Sequence, residues 1–149
     1  MIKSRYGDSR PAHGLKGHTT FRVTYRETDP MGHAYYGNYL EWFEIGRTEM
    51  LRSLGRAYRD WEQTHGVWLP VTSCWVDYKA PTRYDDLVTV ETQVSMVTRA
   101  SIAFYYTVRV EGSGNTAAVG ETLHVFTTPD RKIARVADKL LPELFPVRR

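Results

Sequence analysis

The chain has 149 residues, of which 42% are hydrophobic and 25% charged, with a formal net charge of +3. This suits one globular domain with a real core; no apolar run approaches the ~18–20 residues of a membrane span, and Met1-Ile-Lys-Ser-Arg-Tyr-Gly-Asp8 lacks the apolar stretch of a signal peptide. The single cysteine, Cys74, excludes an internal disulfide and fits a cytoplasmic location, and the excess charge sits in residues 1–18 (Lys3, Arg5, Arg10 and Lys16 against Asp8), so the neutral remainder argues against a nucleic-acid groove.

Residues 1–18 are polar and aperiodic and read as a flexible basic arm; residues 19–149 read as a single domain. Thr19-Thr-Phe-Arg-Val-Thr-Tyr25 alternates and is rich in β-branched and aromatic residues, which predicts a first strand. Residues 26–37 read as a loop, with Asp29-Pro30 and two glycines as turn signals. From Asn38 the pattern becomes helical: Tyr39, Trp42, Phe43, Gly46, Met50 and Leu54 recur every three to four residues. Asn38 is a favourable N-cap with Glu41 three residues on. Glu44–Arg47 and Glu49–Arg52 suit a polar face, and Gly55 is a natural stop. A second short helix is expected around Ala57–Thr64, ending near Gly66.

Everything downstream reads as strand: Val67–Tyr78, Leu87–Val97, Ser101–Val110 and Thr116–Thr127. Cys74 falls in the first of these as an ordinary strand or core residue. The links at Thr98-Arg-Ala100 and Gly112-Ser-Gly-Asn115 are short enough for an antiparallel meander. Strand, long helix and then four strands describe an α+β domain, one helix against one antiparallel sheet.

Most chemical signatures are missing. There is no Gly-rich nucleotide loop and no Gly-x-Ser-x-Gly elbow. The five histidines are scattered and Cys74 stands alone, so no metal site is expected. What remains is Tyr25-Arg-Glu-Thr-Asp29-Pro-Met-Gly32-His-Ala-Tyr-Tyr36-Gly37-Asn38-Tyr39. It sets one carboxylate in a loop that runs into the start of a long helix. A helix start offers unpaired N–H groups and the positive end of a dipole, and a carboxylate offers a base or a nucleophile.

This segment resembles the active-site signature of hotdog-fold acyl-CoA thioesterases, most closely the 4-hydroxybenzoyl-CoA thioesterase-like family. The likeness continues through Arg47–Arg52, Leu69-Pro-Val71, Tyr78-Lys-Ala-Pro81, Tyr84-Asp-Asp86 and Arg99-Ala-Ser101, and covers roughly residues 19–146. The resemblance implies a five-stranded antiparallel sheet wrapped around a long central helix, and a homodimer or homotetramer formed by edge pairing. It implies hydrolysis of an acyl- or aroyl-CoA to the free acid and coenzyme A, with no cofactor beyond the coenzyme A of the substrate. Asp29 aligns with the catalytic carboxylate, and the Tyr36 N–H with the donor that polarises the thioester carbonyl; some relatives carry His at the latter position. Gly32, Gly37, Asn38 and Tyr39 fall in the same segment as candidate substrate contacts. Arg99, Arg131 and Lys132, with Arg135 nearby, are candidates for the phosphates of coenzyme A. Two mechanisms stay open, attack by Asp29 itself or attack by a water that Asp29 activates. Two alternatives also stay open: an acyl carrier protein as the thioester carrier, and a non-catalytic acyl-CoA-binding module.

Overall fold

The computed structural model describes residues 4–6, 16–53, 62–64 and 66–135. Its elements are β1 (Lys16–Arg22), α1 (Asn38–Ser53), β2 (Val71–Tyr78), β3 (Leu87–Val97), β4 (Ser101–Val110) and β5 (Thr116–Val125). The strands form one five-stranded sheet in the order β1-β3-β4-β5-β2, with every neighbouring pair antiparallel. This is the expected α+β architecture. Among the described residues no helix is long and apolar enough to cross a membrane.

The 16-residue helix lies on one face of the sheet and buries Tyr39, Trp42, Phe43, Gly46, Met50 and Leu51. Phe43 stacks on Tyr106 of β4, with ring centroids 4.2 Å apart and 3° between planes, while Trp42 meets Phe21 of β1 edge-on. Gly46 sets how closely helix and sheet approach: a Cβ there would lie 2.5 Å from Thr92 Oγ1 and 2.8 Å from Val90 Cγ1. The β4 strand is covered on both sides, since Ala103, Tyr105 and Thr107 on the face away from α1 are also buried.

Several boundaries differ from the sequence reading. The first strand begins at Lys16 and ends at Arg22; Tyr25–Glu27 is a 3-10 turn. The Glu27 carboxylate draws the chain round by accepting the Thr24 backbone N–H at 2.8 Å and the Thr24 hydroxyl at 2.7 Å. Lys16–His18, read as arm, pair with Glu91–Gln93. Ser4–Tyr6 dock on the sheet: Ser4 Oγ and Arg5 N–H donate to the buried Glu121, and the Arg5 guanidinium lies 3.9 Å from the Trp75 ring centre and pairs with Asp77. The rest of the proposed arm, Leu54, Gly55, most of the short helix and the C-terminal arginines lie outside the described residues; Glu62–Thr64 are helical, and Gly66 takes a φ of 61° with its N–H on Glu62 O. Strand β2 starts at Val71 because Pro70 has no N–H to give a ladder; Trp68 makes only an isolated bridge to Thr127, and β5 ends at Val125. Cys74 lies on β2 as read, but exposed rather than in the core.

Thr92 Oγ1 faces this tight helix–sheet contact and is buried with no hydrogen-bond partner among the described residues. Leaving a buried hydroxyl unpaired costs about 1–3 kcal/mol. Thr92→Val is therefore expected to raise the melting temperature by a few degrees. Gly46→Ala forces a methyl into the same contact and is expected to lower stability by about 1–3 kcal/mol. Thermal melts followed by circular dichroism read both changes; equal melting temperatures for the three chains would contradict this account of the contact.

Candidate active site

Asp29 opens a tight turn. Its carbonyl accepts the Gly32 N–H at 2.8 Å, across Pro30 and Met31. Proline presets the backbone at the second position of such a turn, and Gly32 takes a φ of 78°, where a side chain is strained. The Asp29 carboxylate uses one oxygen locally: Oδ1 accepts the Met31 N–H at 2.9 Å and the His33 N–H at 3.3 Å. Its other oxygen, Oδ2, has no hydrogen-bond partner among the described residues. The side chain is thus fixed by one oxygen and open at the other.

A short antiparallel ribbon carries the chain from this turn to the helix. Asp29 N–H bonds to His33 O, Thr28 bridges Ala34, and Tyr35 N–H bonds to Glu27 O, the two hydrogen bonds each at 2.8 Å. The contacts of His33 here are main-chain ones, including a bridge to Arg83. The helix then begins through 3-10-type bonds, Asn38 N–H to Tyr35 O at 3.0 Å, Tyr39 N–H to Tyr36 O at 3.4 Å and Leu40 N–H to Gly37 O at 3.3 Å. The N–H groups of Tyr36 and Gly37 make no hydrogen bond among the described residues. They are adjacent donors at the positive end of α1, a site that favours negative charge.

The candidate residues separate into three sets. Gly32, Tyr36, Gly37 and Asn38 fall with Asp29. The Tyr36 side chain is 63% exposed and its ring packs against those of Tyr35 and Tyr78, while its backbone carbonyl accepts the Tyr78 hydroxyl at 2.7 Å. Asn38 is the first helical residue, not a side-chain cap, and its amide Nδ2 donates to Glu27 O at 2.7 Å. Tyr39 is in the core: it is buried, its hydroxyl is 3.0 Å from Thr82 Oγ1, and burial pushes its phenol up. Arg99, Arg131 and Lys132 are exposed and gather at the opposite end of the sheet, where Ser101 pairs with Val125 and Phe126 N–H bonds to Ala100 O. A ten-residue strand separates that end from the Asp29 end, about 30 Å.

Two features escaped the sequence reading. Glu27, in addition to its bonds to Thr24, accepts the Trp42 indole N–H on Oε2 at 2.6 Å. Burial by itself pushes its pKa up, but the donors of Thr24 and Trp42 and the nearby Arg26 charge outweigh this and hold the carboxyl below its usual range. The signal was present as Thr24-x-x-Glu27, the spacing of a capping box. The second is a cavity of about 220 Å³ between α1 and the sheet, lined by Glu44, Arg47, Thr48, Leu51, Leu69, Phe104 and His124. At 1.5 Å per residue, Glu44–Leu51 lies roughly 9–20 Å along the helix from Asn38.

The polar floor of this cavity has one consistent proton arrangement. Leu69 O only accepts, so the His124 Nδ1, 2.9 Å away, carries the hydrogen. Neutral His124 Nε2 then accepts from Thr122 Oγ at 2.8 Å, and Thr122 accepts from Tyr106 Oη at 2.6 Å. Burial, with a smaller contribution from Arg47, lowers the His124 pKa to about 4 despite its bond to Leu69.

Comparison with known proteins decides the family. The profile of the thioesterase-like superfamily matches residues 23–144. The chain belongs to that superfamily. It is 39% identical over 83 residues to the acyl-CoA thioesterase YbgC of Haemophilus influenzae, a stretch covering 56% of this chain and 61% of that one. It is 32% identical over 99 residues to the acyl-CoA thioester hydrolase YbgC of Escherichia coli O157:H7, covering 64% and 69%. The chain spans about half to two thirds of the length of the curated relatives it matches. A crystal structure of a DHNA-CoA thioesterase from Staphylococcus aureus superposes with a TM-score of 0.80 at 31% identity, covering 88% of this chain and 89% of that one. The sheet and helix described above are therefore those of a hotdog thioesterase fold.

The buried histidine generates a pH prediction. The unfolded chain takes up a proton on His124 near its ordinary 6.5, whereas the folded chain resists until about 4. The unfolded state binds more protons between these values, so stability falls as pH falls through this window. The full effect is about 3 kcal/mol. His124→Gln, which keeps a donor and an acceptor, is expected to flatten the fall in urea midpoint between pH 7 and 4.5; parallel profiles for the two chains would contradict it.

Proposed function

We propose that this protein hydrolyses the thioester of an acyl- or aroyl-CoA to the free acid and coenzyme A. The observation that carries this reading is the Asp29 turn: a carboxylate with one open oxygen, joined by a short hydrogen-bonded ribbon to two open N–H groups at the start of α1. Those are the two requirements of acyl transfer, an attacking group and donors for the charge that develops on the carbonyl oxygen. Superfamily membership supports the thioester as the bond that is cleaved.

In this reading the thioester oxygen lies against the Tyr36 and Gly37 N–H groups. Each such donor is typically worth about 2.7–4 kcal/mol of transition-state stabilisation. Asp29 Oδ2 either attacks the carbonyl carbon, expelling the thiolate and leaving a mixed anhydride that water cleaves, or takes a proton from the attacking water. Exposed aromatic and thioether groups around the turn, Tyr25, Met31, Tyr35, Tyr36, Tyr78 and Tyr84, give the site an apolar rim that suits an acyl group. Arg99, Arg131 and Lys132 lie too far from the Asp29 of their own chain to share one substrate with it. For them to meet the phosphates of coenzyme A, a second copy of the chain has to present them, which fits a homodimer or homotetramer assembled in the cytoplasm. The exposed edge of β2 is available for such pairing.

Release of free thiol from a panel of acyl- and aroyl-CoA substrates tests the reading. Asp29→Asn is expected to lower kcat at least about 100-fold, while Tyr36→Phe, which leaves the backbone donor in place, is expected to change it little. Activity untouched by Asp29→Asn would sink the assignment. The same acyl group offered on coenzyme A and on an acyl carrier protein distinguishes the carriers through kcat/KM. Saturable binding without turnover would identify a non-catalytic module.

A further inference from the structure

We infer that Glu27 is a positioning residue for the reaction, the tie that sets the Asp29 carboxylate against the N–H donors of Tyr36 and Gly37. This rests on the reaction proposed above and extends it to a carboxylate that takes no part in the chemistry.

Five donors converge on this one residue. Glu27 Oε1 takes the Thr24 N–H and hydroxyl, and Oε2 takes the Trp42 indole N–H at 2.6 Å. The backbone oxygen of Glu27 takes the Tyr35 N–H at 2.8 Å and the Asn38 amide at 2.7 Å. These partners bracket the working groups. Asp29 is two residues beyond Glu27, Tyr36 follows Tyr35, and Gly37 precedes Asn38. The exit from β1, the returning arm of the ribbon and the first two turns of α1 are thus all fixed to a single point.

That point is rigid because its far anchor is rigid. Trp42 is wholly buried, packed on Tyr39 at 4.5 Å and Phe21 at 5.5 Å between ring centres. A hydrogen bond to a charged carboxylate is shorter and about twice as strong as a neutral one. The Glu27 side chain therefore transmits the position of a core ring to a surface turn. Displacing a reacting group by about 1 Å costs on the order of 100-fold in rate, so a tie of this kind is felt in kcat.

Glu27→Gln tests the tie with little change of shape. Its amide keeps an oxygen for Thr24 but turns a donor toward the Trp42 N–H, and that contact fails. The expected result is a kcat about 10- to 100-fold lower with KM little changed. Trp42→Phe removes the same bond, and the double variant is expected to be no slower than the slower single one. The amide signals of Asp29, Tyr36 and Gly37 in nitrogen-15 spectra are expected to shift in Glu27→Gln while those of β3 and β4 stay in place. A variant with unchanged kcat and unmoved Tyr36 and Gly37 signals, whatever its melting temperature, would overturn the inference. So would strictly additive losses in the double variant. If Glu27→Gln does not fold, Asn38→Ala removes the milder bond to Glu27 O; shifted Tyr36 and Gly37 signals support the tie and unmoved ones overturn it. Asp29→Asn measured in parallel separates the two readings: full activity there removes Asp29 from the reaction, while the amide shifts still report on the tie.

Discussion

Two adjacent bulky rings, Trp42 and Phe43, are buried completely on one helix, and the rest of the structure answers to that constraint. Successive residues project about 100° apart around a helix, so no flat surface covers both. The sheet has to curl round α1, meeting Trp42 with Phe21 from β1 and Phe43 with Tyr106 from β4. The curl brings backbone close to ring elsewhere. A Cβ at Gly120 in β5 would lie 2.6 Å from the Phe43 ring and 2.5 Å from Trp75 O. Small residues at Gly46 and Gly120 are the complement of large ones at 42 and 43.

The same burial gives the site its footing. An indole ring in the core still needs a partner for its N–H, and Trp42 finds it in Glu27, at the edge of the loop that carries Asp29. A core requirement and a surface geometry are met by one bond. The helix start shows the reverse economy. The first turn satisfies Asn38, Tyr39 and Leu40 with tight local bonds and leaves Tyr36 and Gly37 open, so the unspent donors concentrate beside the carboxylate.

How much of this was legible depends on the range of the interaction. β3 and β4 were readable to the residue because alternation and short turns act within a few positions. The Asp29 turn was readable for the same reason, since Pro30 and Gly32 act on neighbouring backbone. β1 was misplaced because Val23–Tyr25 has strand composition, yet Glu27 bends it into a turn. Asn38 looked like a cap by composition, but its amide is taken by Glu27 eleven residues back. The polar chain Leu69–His124–Thr122–Tyr106 joins positions up to 55 apart, and no local pattern announces it. Nor does proximity in sequence reveal which end of a sheet a residue occupies. Asp29 and Arg99 share a family pattern, and the antiparallel order sends them to opposite ends.

One consequence concerns Glu121, which is fully buried on the face of the sheet away from α1. It is surrounded by donors: Ser95 and Trp75 from the sheet, and Ser4 and Arg5 from the amino-terminal side. Half of its partners thus arrive from a segment more than a hundred residues away in sequence. Ser4 and Arg5 act as a closure over this buried carboxyl group. A fusion or a trim that pulls Ser4–Tyr6 away removes two of the four donors to this buried carboxyl group. Tags for purification or immobilisation accordingly belong at a position that leaves this closure alone.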